Sequence, residues 1–350
     1  MVPNLRFLKF NQNYETLQLK NTLKIKSGKD QKQVEVENGI YNIYGTGGII
    51  GHTNTFLYDK ESVGIGRKGT IDKPVYFNQP FWTVDTLFYS EIYEGFIPKY
   101  IFYLFQTINW KKYNTSTGVP SLTSSSIENI EKSFPCYDEQ LKVANFLTMI
   151  DMRIETQIKI IDDYNSLKMG IYNWMFKENY ADYKLKQLAY IVKGDQINND
   201  QLLSNGPYYM MNGGTSPSGY LDSYNVSENT ISISEGGNSC GYVQFNSSPF
   251  WSGGHCYTIQ NVNSALIENK YLYHYLKHKE KEIMNLRIGT GLPNIQKKDL
   301  ENFTIFVPNL LIQRKNLALF EMLDEKICIL NEELERLEMQ KKYLLRNMFI

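Results

Sequence analysis

The stretch from Glu139 to Phe176 holds no proline and one glycine, Gly170; it opens after Pro135 and closes before Tyr180. Along it the positions Ile150, Ile154, Gln157, Ile161, Tyr164, Ile171 and Met175 follow steps of four and three. That spacing is a heptad seam, so it predicts a helix that needs a partner helix. Helical throughout, the stretch would reach about 57 Å at roughly 1.5 Å per residue, too long for one small core. The same pattern recurs near the C-terminus. Leu323, Ile327, Leu330, Leu334, Leu337, Leu344 and Met348 each stand 173 residues after their counterparts, as Leu323 does after Ile150. Asp151 returns as Asp324, Gln140 as Gln313 and Lys168 as Lys341. Two seams in one chain can satisfy each other. The long segment between them lets the chain return, which predicts an antiparallel coiled coil. Ile150, Ile154, Ile161 and Ile171 on one helix, with Leu323, Ile327, Leu334 and Leu344 on the other, are its docking side chains.

The shift also holds outside the helices. Gly28 maps to Gly194, Gly39 and Tyr41 to Gly206 and Tyr208, and FNQPFW (77–82) to FNSSPFW (245–251). Lys99-Tyr100 maps to Lys270-Tyr271, and STGVP (116–120) to GTGLP (289–293). The offset grows only in loops, as insertions require. The chain therefore reads as a tandem duplication of an α+β domain followed by a long helix. The period is too long for a solenoid. Expected boundaries are 1–138 and 179–310 for the globular domains, and 139–178 and 311–350 for the helical spacers.

In the first copy, strand-like runs cover Thr55–Tyr58, Val63–Ile65 and Val75–Phe77, between Gly-rich turns at Gly45–Gly51 and Gly64–Gly69. One amphipathic helix is expected from Pro98 to about Lys112, with proline in its first turn. The turn STGVPSL and a strand-like run up to Pro135 follow. The second copy, 181–308, repeats this layout.

The scaffold repeats, but the Gly-rich loops do not. Thr46-Gly47-Gly48-Ile49 faces Gly213-Gly214-Thr215-Ser216, and Arg67-Lys68-Gly69 faces Glu235-Gly236-Gly237. Equal scaffolds with unequal loops suit two copies of one reader aimed at two targets.

Composition sets outer limits. The chain is 42% hydrophobic with 37 basic and 37 acidic residues, so it is globular. The neutral balance argues against coating nucleic acid by charge alone, yet leaves room for local basic patches. Cys136, Cys240, Cys256 and Cys328 are scattered, with no C-x-x-C spacing, as in a reducing cytoplasm. The start MVPNLRFLKF has no signal-peptide core, and no apolar run approaches membrane-spanning length.

Catalytic constellations are wanting. GIGRKG (64–69) lacks the G-K-S/T and the following helix of a nucleotide loop; as an anion-binding turn with two cations it fits a DNA phosphate better, with a plain solvated turn as the competing account. Asn78-Gln79-Pro80-Phe81 resembles the N-P-P-F loop of adenine methyltransferases, but its first proline is missing and no Gly-rich S-adenosylmethionine loop precedes it; it reads as a core turn. His274 and His278 have helical metal spacing without a third ligand, and His255-Cys256 lacks a charge-relay partner.

The opening VPNLRFLKF, the paired domains, STGVPSL and GTGLPNI ahead of strands ending in proline, and E-Q-L and L-I-Q-R leading into heptad helices that close on W-M-F and N-M-F resemble the specificity subunit of type I restriction–modification systems. The resemblance covers essentially the whole chain. It implies two target-recognition domains separated by antiparallel helices, reading an asymmetric bipartite sequence in double-stranded DNA. It implies no catalysis in this chain. Two methyltransferase subunits, and restriction subunits through them, would carry S-adenosylmethionine, ATP and Mg. The chain is short, with compact recognition domains, so loop contacts do not carry over from the family.

From the residues themselves, two readers on a rod must bind something extended with two addresses. Duplex DNA fits; a coiled-coil adaptor for two protein ligands is the reading of another class, and a type II or IIB recognition subunit differs only in its partner. Candidate DNA contacts in the first domain are Thr46, Gly47 and Gly48, then Arg67 and Lys68, then Ser116 and Thr117. In the second they are Asn212 and Thr215, then Asn238, then Arg287 and Thr290. Arg67 is the expected base reader and Lys68 a phosphate contact.

Overall fold

In the computed structural model, which describes residues 2–176, 180–289, 291 and 293–350, both heptad stretches are continuous helices. They run Tyr137–Met175 and Leu310–Met348, 39 residues each. Each starts about two residues before the sequence pattern placed it. The chain divides into two compact units: Met1–Lys159 with Glu332–Ile350 (unit 1), and Ile160–Asn331 (unit 2). Each long helix contributes residues to both units.

Unit 1 is built on three sheets. β1 (Glu15–Gln18) pairs with β10 (Glu131–Phe134) as an antiparallel ribbon. The second sheet has the order β2-β9-β6-β7, from Leu23–Ser27, Leu87–Ile92, Ser62–Gly66 and Val75–Phe77, all antiparallel. The third has the order β3-β5-β4-β8, from Glu35–Val36, Gly48–Thr53, Tyr41–Gly45 and Phe81–Thr83, with β4 and β8 parallel.

Its core lies between the second sheet, the helix Pro98–Thr107 and the ends of the two long helices. Tyr100, Tyr103, Leu104, Leu147 and Trp110 are essentially inaccessible, joined by Leu344, Met348 and Phe349. Each such side chain contributes about 1.5–3 kcal/mol by leaving water. Within this unit Asp151 meets Lys341 at 2.7 Å, and Gln157 donates to Glu333 at 3.2 Å. Partner numbers fall on one helix as they rise on the other, so the pairing is antiparallel. Ile150 and Leu344 are buried, and Ile154 and Leu334 are half-buried.

Unit 2 repeats this topology, except that its third sheet has three strands among the described residues where unit 1 has four. β11 (Ala181–Lys184) pairs with β19 (Thr304–Val307). The order β12-β18-β15-β16 comes from Tyr190–Lys193, Cys256–Gln260, Thr230–Ser234 and Val243–Asn246. The order β14-β13-β17 comes from Gly219–Leu221, Tyr208–Met211 and Trp251–Ser252, again with one parallel pair, β13 and β17.

Here Lys168 bonds Asp324, and the Tyr172 ring packs on Phe320 at 4.6 Å. This pairing is also antiparallel. Ile161 and Leu323 are buried and Ile327 is half-buried. Ile171 is only half-buried, because its neighbour Tyr172 takes the deep position against the helix Asn269–His278.

The duplication extends to single hydrogen bonds. The Gln140 carboxamide accepts from Ile97 N–H and donates to Pro135 C=O; that of Gln313 accepts from Glu268 N–H and donates to Pro308 C=O. Each carboxamide ties its long helix to the preceding strand and the short helix.

Several local expectations change. Thr55–Tyr58 is not a strand. Leu57 and Tyr58 each make one backbone bond with Phe81, and the Tyr58 ring packs on the Phe81 and Tyr89 rings, so the segment covers the Phe77–Phe81 stack instead of extending a sheet. The helix from Pro98 ends at Thr107, not near Lys112. Ile108 is extended, and the chain resumes as the 3-10 turn Trp110–Tyr113. The cause is Trp110, whose indole N–H donates to Phe105 C=O at 2.9 Å and whose ring fills the core.

The run leading to Pro135 begins with a helical turn, Ser124–Glu128, capped by Thr123 and Ser126, before β10 starts. Gly64 and Gly66 belong to β6 and not to a turn. A Cβ on Gly64 would meet the Phe77 ring at 2.7 Å, and one on Gly66 the Thr70 carbonyl at 1.9 Å. The exposed turn is thus reduced to Arg67–Gly69.

His274 and His278 pack against aromatic rings, Tyr172 among them. Burial lowers the His274 pKa to about 4, although Asp324 lies 3.9 Å away. The ring is therefore neutral at pH 7, and its Nδ1 shares a hydrogen bond of 2.7 Å with the Tyr172 hydroxyl. With a folded-state pKa below the usual 6.5, the stability this group contributes is present above pH 6.5 and lost as pH falls towards 4. The loss is expected to reach roughly 3 kcal/mol. Urea denaturation of the parent and of His274→Gln across that range checks this: the parent should lose stability more steeply, and parallel curves would remove His274 from the pH dependence.

Candidate nucleic-acid interface

Three loops of unit 1 converge on one surface. The β4–β5 hairpin turns at Thr46 and Gly47, and Gly48 opens β5 with φ +119°. The loop after β6 carries Arg67, Lys68 and Gly69. Leu122 N–H donates to Arg67 C=O, and Gly69 N–H donates to Pro120 C=O, both at 2.9 Å. The stretch 116–122 is thereby laced to the Arg67–Gly69 turn, and Lys68 bridges Ser121. A Cβ on Gly69 would lie 4.0 Å from the Thr46 hydroxyl, so the hairpin tip adjoins the same turn.

The structure thus brings the first-domain candidates together. Lys68, Gly47 and Thr117 are exposed; Thr46, Gly48, Arg67 and Ser116 are half-buried. The Arg67 guanidinium donates to Asp85 C=O at 3.2 Å, which orients it and leaves most of its five donors uncommitted.

Unit 2 builds the same frame with other side chains. Ile295 N–H donates to Glu235 C=O at 2.8 Å and Gly237 N–H to Pro293 C=O at 3.0 Å. Glu235 N–H donates to His255 C=O, as Arg67 N–H does to Thr86 C=O. Glu235 therefore occupies the backbone position of Arg67, and Gly237 that of Gly69. Both glycines take positive φ, +74° and +86°, which explains why they survive while their neighbours differ.

Thr215, Asn238 and Arg287 are exposed. Asn212 is partly engaged within the fold, since its side-chain oxygen accepts from His255 N–H at 3.0 Å. Thr290 lies outside the described residues.

Between these loops is a cavity of about 570 Å³. Its walls include Lys193, Ser218, Glu235, His255 and Asn294, none of them named from sequence as contacts. The available signal was the alignment of Glu235 with Arg67. A carboxylate in a Gly-rich loop reads as solvated, so its burial was hidden. Among the described residues no group of three or more His, Cys, Asp or Glu is placed to hold a metal ion.

A family model described as the type I restriction modification DNA specificity domain matches residues 11–162 and again 177–339. The chain belongs to this specificity family. The two matches correspond to the two copies of the repeat.

Named relatives agree. A Mycoplasma pneumoniae protein bearing the name type I specificity subunit S.MpnORF638P is 33% identical over 158 residues, 45% of this chain and 42% of the relative. The specificity subunit of the type I restriction enzyme MjaIX of Methanocaldococcus jannaschii is 24% identical over 281 residues, 67% of this chain and 64% of that protein. The aligned stretches thus span less than two thirds of each relative's length. The fold resembles the crystal structure of the S subunit of a type I restriction–modification system from M. genitalium, with TM-score 0.72, 20% identity, and 100% and 99% of the two chains covered. A chain from a structural study of assembly and conformational transition in the type I system aligns with TM-score 0.61, 13% identity, and 96% and 97% covered.

Proposed function

We propose that this specificity-family chain is the sequence-reading subunit of a type I restriction–modification complex. Each unit reads one part of a split, asymmetric target in double-stranded DNA. The observation that carries this reading is the equivalence of Arg67 and Glu235: one backbone frame, repeated bond for bond, presents opposite charges at the same point. A scaffold kept constant under side chains of opposite sign suits two readers of different base edges. The chain's part is recognition. Chemistry would reside on two methyltransferase subunits docked to it, with S-adenosylmethionine, and on restriction subunits reached through them, with ATP and Mg. A cytoplasmic location belongs to the same reading. No described helix is long and apolar enough to cross a membrane.

The test is selection of bound sequences from a random duplex pool. Two fixed, unlike elements separated by unread positions are expected; one contiguous or palindromic element would overturn the proposal. Within unit 1, Lys68→Ala should weaken all sequences about equally and lower the log–log salt slope by about one. Arg67→Ala should cost about 1–3 kcal/mol at one position of the cognate element. Unchanged binding by both variants would remove this turn from the interface.

A further inference from the structure

The cavity of unit 2 contains an acceptor that the fold does not satisfy. The Glu235 side chain is only 9% exposed. Its Oε1 accepts from Lys193 Nζ at 2.6 Å and from the Tyr257 hydroxyl at 3.0 Å, so the carboxylate plane is held from two sides. Its Oε2 is shielded from solvent and accepts no hydrogen bond among the described residues. His255 Nδ1 stands 3.8 Å from it, beyond hydrogen-bonding distance. A buried carboxylate oxygen without a donor is unfavourable, and a carboxylate cannot supply the missing proton itself. The site can therefore take a donor from outside. It is framed by Gly213, Gly214, Gly236 and Gly237, which have no side chains to obstruct an incoming group. The His255 side chain is 63% exposed.

Base edges differ in what they offer such an acceptor. In the major groove adenine presents its N6 amino group and cytosine its N4 amino group, while guanine O6 and thymine O4 are themselves acceptors. A fixed carboxylate accepts from the first pair and repels the second. The equivalent position of unit 1, with the Arg67 donors, has the reverse preference.

We infer that Glu235 is a specificity-determining residue that accepts a hydrogen bond from an exocyclic amino group, adenine N6 or cytosine N4, at one position of the half-site bound by unit 2. The inference rests on the reading of unit 2 as a DNA reader. Lys193 and Tyr257 act as positioning residues, holding Oε1 so that Oε2 faces the base.

The experiment compares the full chain with Glu235→Gln in selection from a random duplex pool. The parent should confine one position of the second half-site to adenine or cytosine. The variant, whose amide can donate as well as accept, should relax that position by about 10-fold or more. The first half-site and the salt slope should not move, because no phosphate contact is touched.

A second measurement leaves the protein unaltered. Cognate DNA carrying purine for adenine, or a pyrimidinone lacking the amino group for cytosine, at that position should bind the parent about 10-fold more weakly and Glu235→Gln with little change. A split target with no amino-bearing position in its second half, or uniform weakening by Glu235→Gln across all sequences, overturns the inference and leaves the two-reader function standing. Recovery of no split target overturns both.

Discussion

Replacing Arg6 by Ala is expected to destabilise unit 1 by about 3–5 kcal/mol, measured as a shift of the urea midpoint. Arg6 grips the first turn of the long helix. Its Nε donates to Glu139 Oε1 at 2.8 Å and its Nη2 to Oε2 at 2.7 Å, while the Tyr14 hydroxyl donates to Oε1 at 3.0 Å. The Glu139 side chain is 1% exposed. Without the guanidinium a buried carboxylate keeps only the phenol, and desolvation of a lone charge outweighs one neutral donor. Burial and the Glu139 charge together push the Tyr14 pKa up, so the phenol stays protonated and cannot take over the charge. Removing both charges with Arg6→Met and Glu139→Leu should recover much of the loss. A single Arg6→Ala variant as stable as the parent would mean that the pair contributes nothing net.

Exchanging residues 181–308 for those of a family member should replace one half-site and leave the other intact. The ends of this segment are neighbours, because β11 and β19 close it as an antiparallel ribbon with Ala181 opposite Val307. The exchange therefore cuts the chain where one strand pair meets the long helices. Its main risk is the contact with those helices, where Tyr271, Tyr275 and His274 pack on Tyr172, Phe176 and Phe320. Keeping these side chains as in the parent protects the fold. Each mismatched base pair costs about 1–3 kcal/mol, so several changed positions should weaken the original target by about a thousandfold or more. Selection from a random pool reads the result. If both halves of the target change, the units are not independent readers.

The sequence displayed the helices and the duplication because both are periodic. A 3.5-residue step sustained for the length of a helix, and an offset of 173 held by Leu323, Leu330 and Leu344, survive local noise. Features set by tertiary contact were hidden. Trp110 ends a helix by turning its indole back on Phe105, which no propensity conveys. Gly64 looked like a turn residue, yet it lies in a buried strand to make room for Phe77. Tyr172 displaces Ile171 from the deepest position because the globular core widens the apolar face beyond the seam. At the interface, loop positions were legible through the repeat, but burial was not. Arg67 and Glu235 were aligned from sequence, and only the fold reveals that the second is enclosed and half-satisfied.

The division of the chain between its units has a consequence for synthesis. Unit 2 is one uninterrupted stretch, Ile160–Asn331, whereas unit 1 needs both Met1–Lys159 and Glu332–Ile350. The usual order on the ribosome, N-terminal domain first, cannot finish here. The first half emerges early but lacks Leu344, Met348 and Phe349, which belong to its core. It must wait with an incomplete apolar face while the second half, complete in itself, folds ahead of it. Residues 332–350 follow unit 2 along the chain and close the first unit, so removing Leu344, Met348 and Phe349 should undo the core of unit 1.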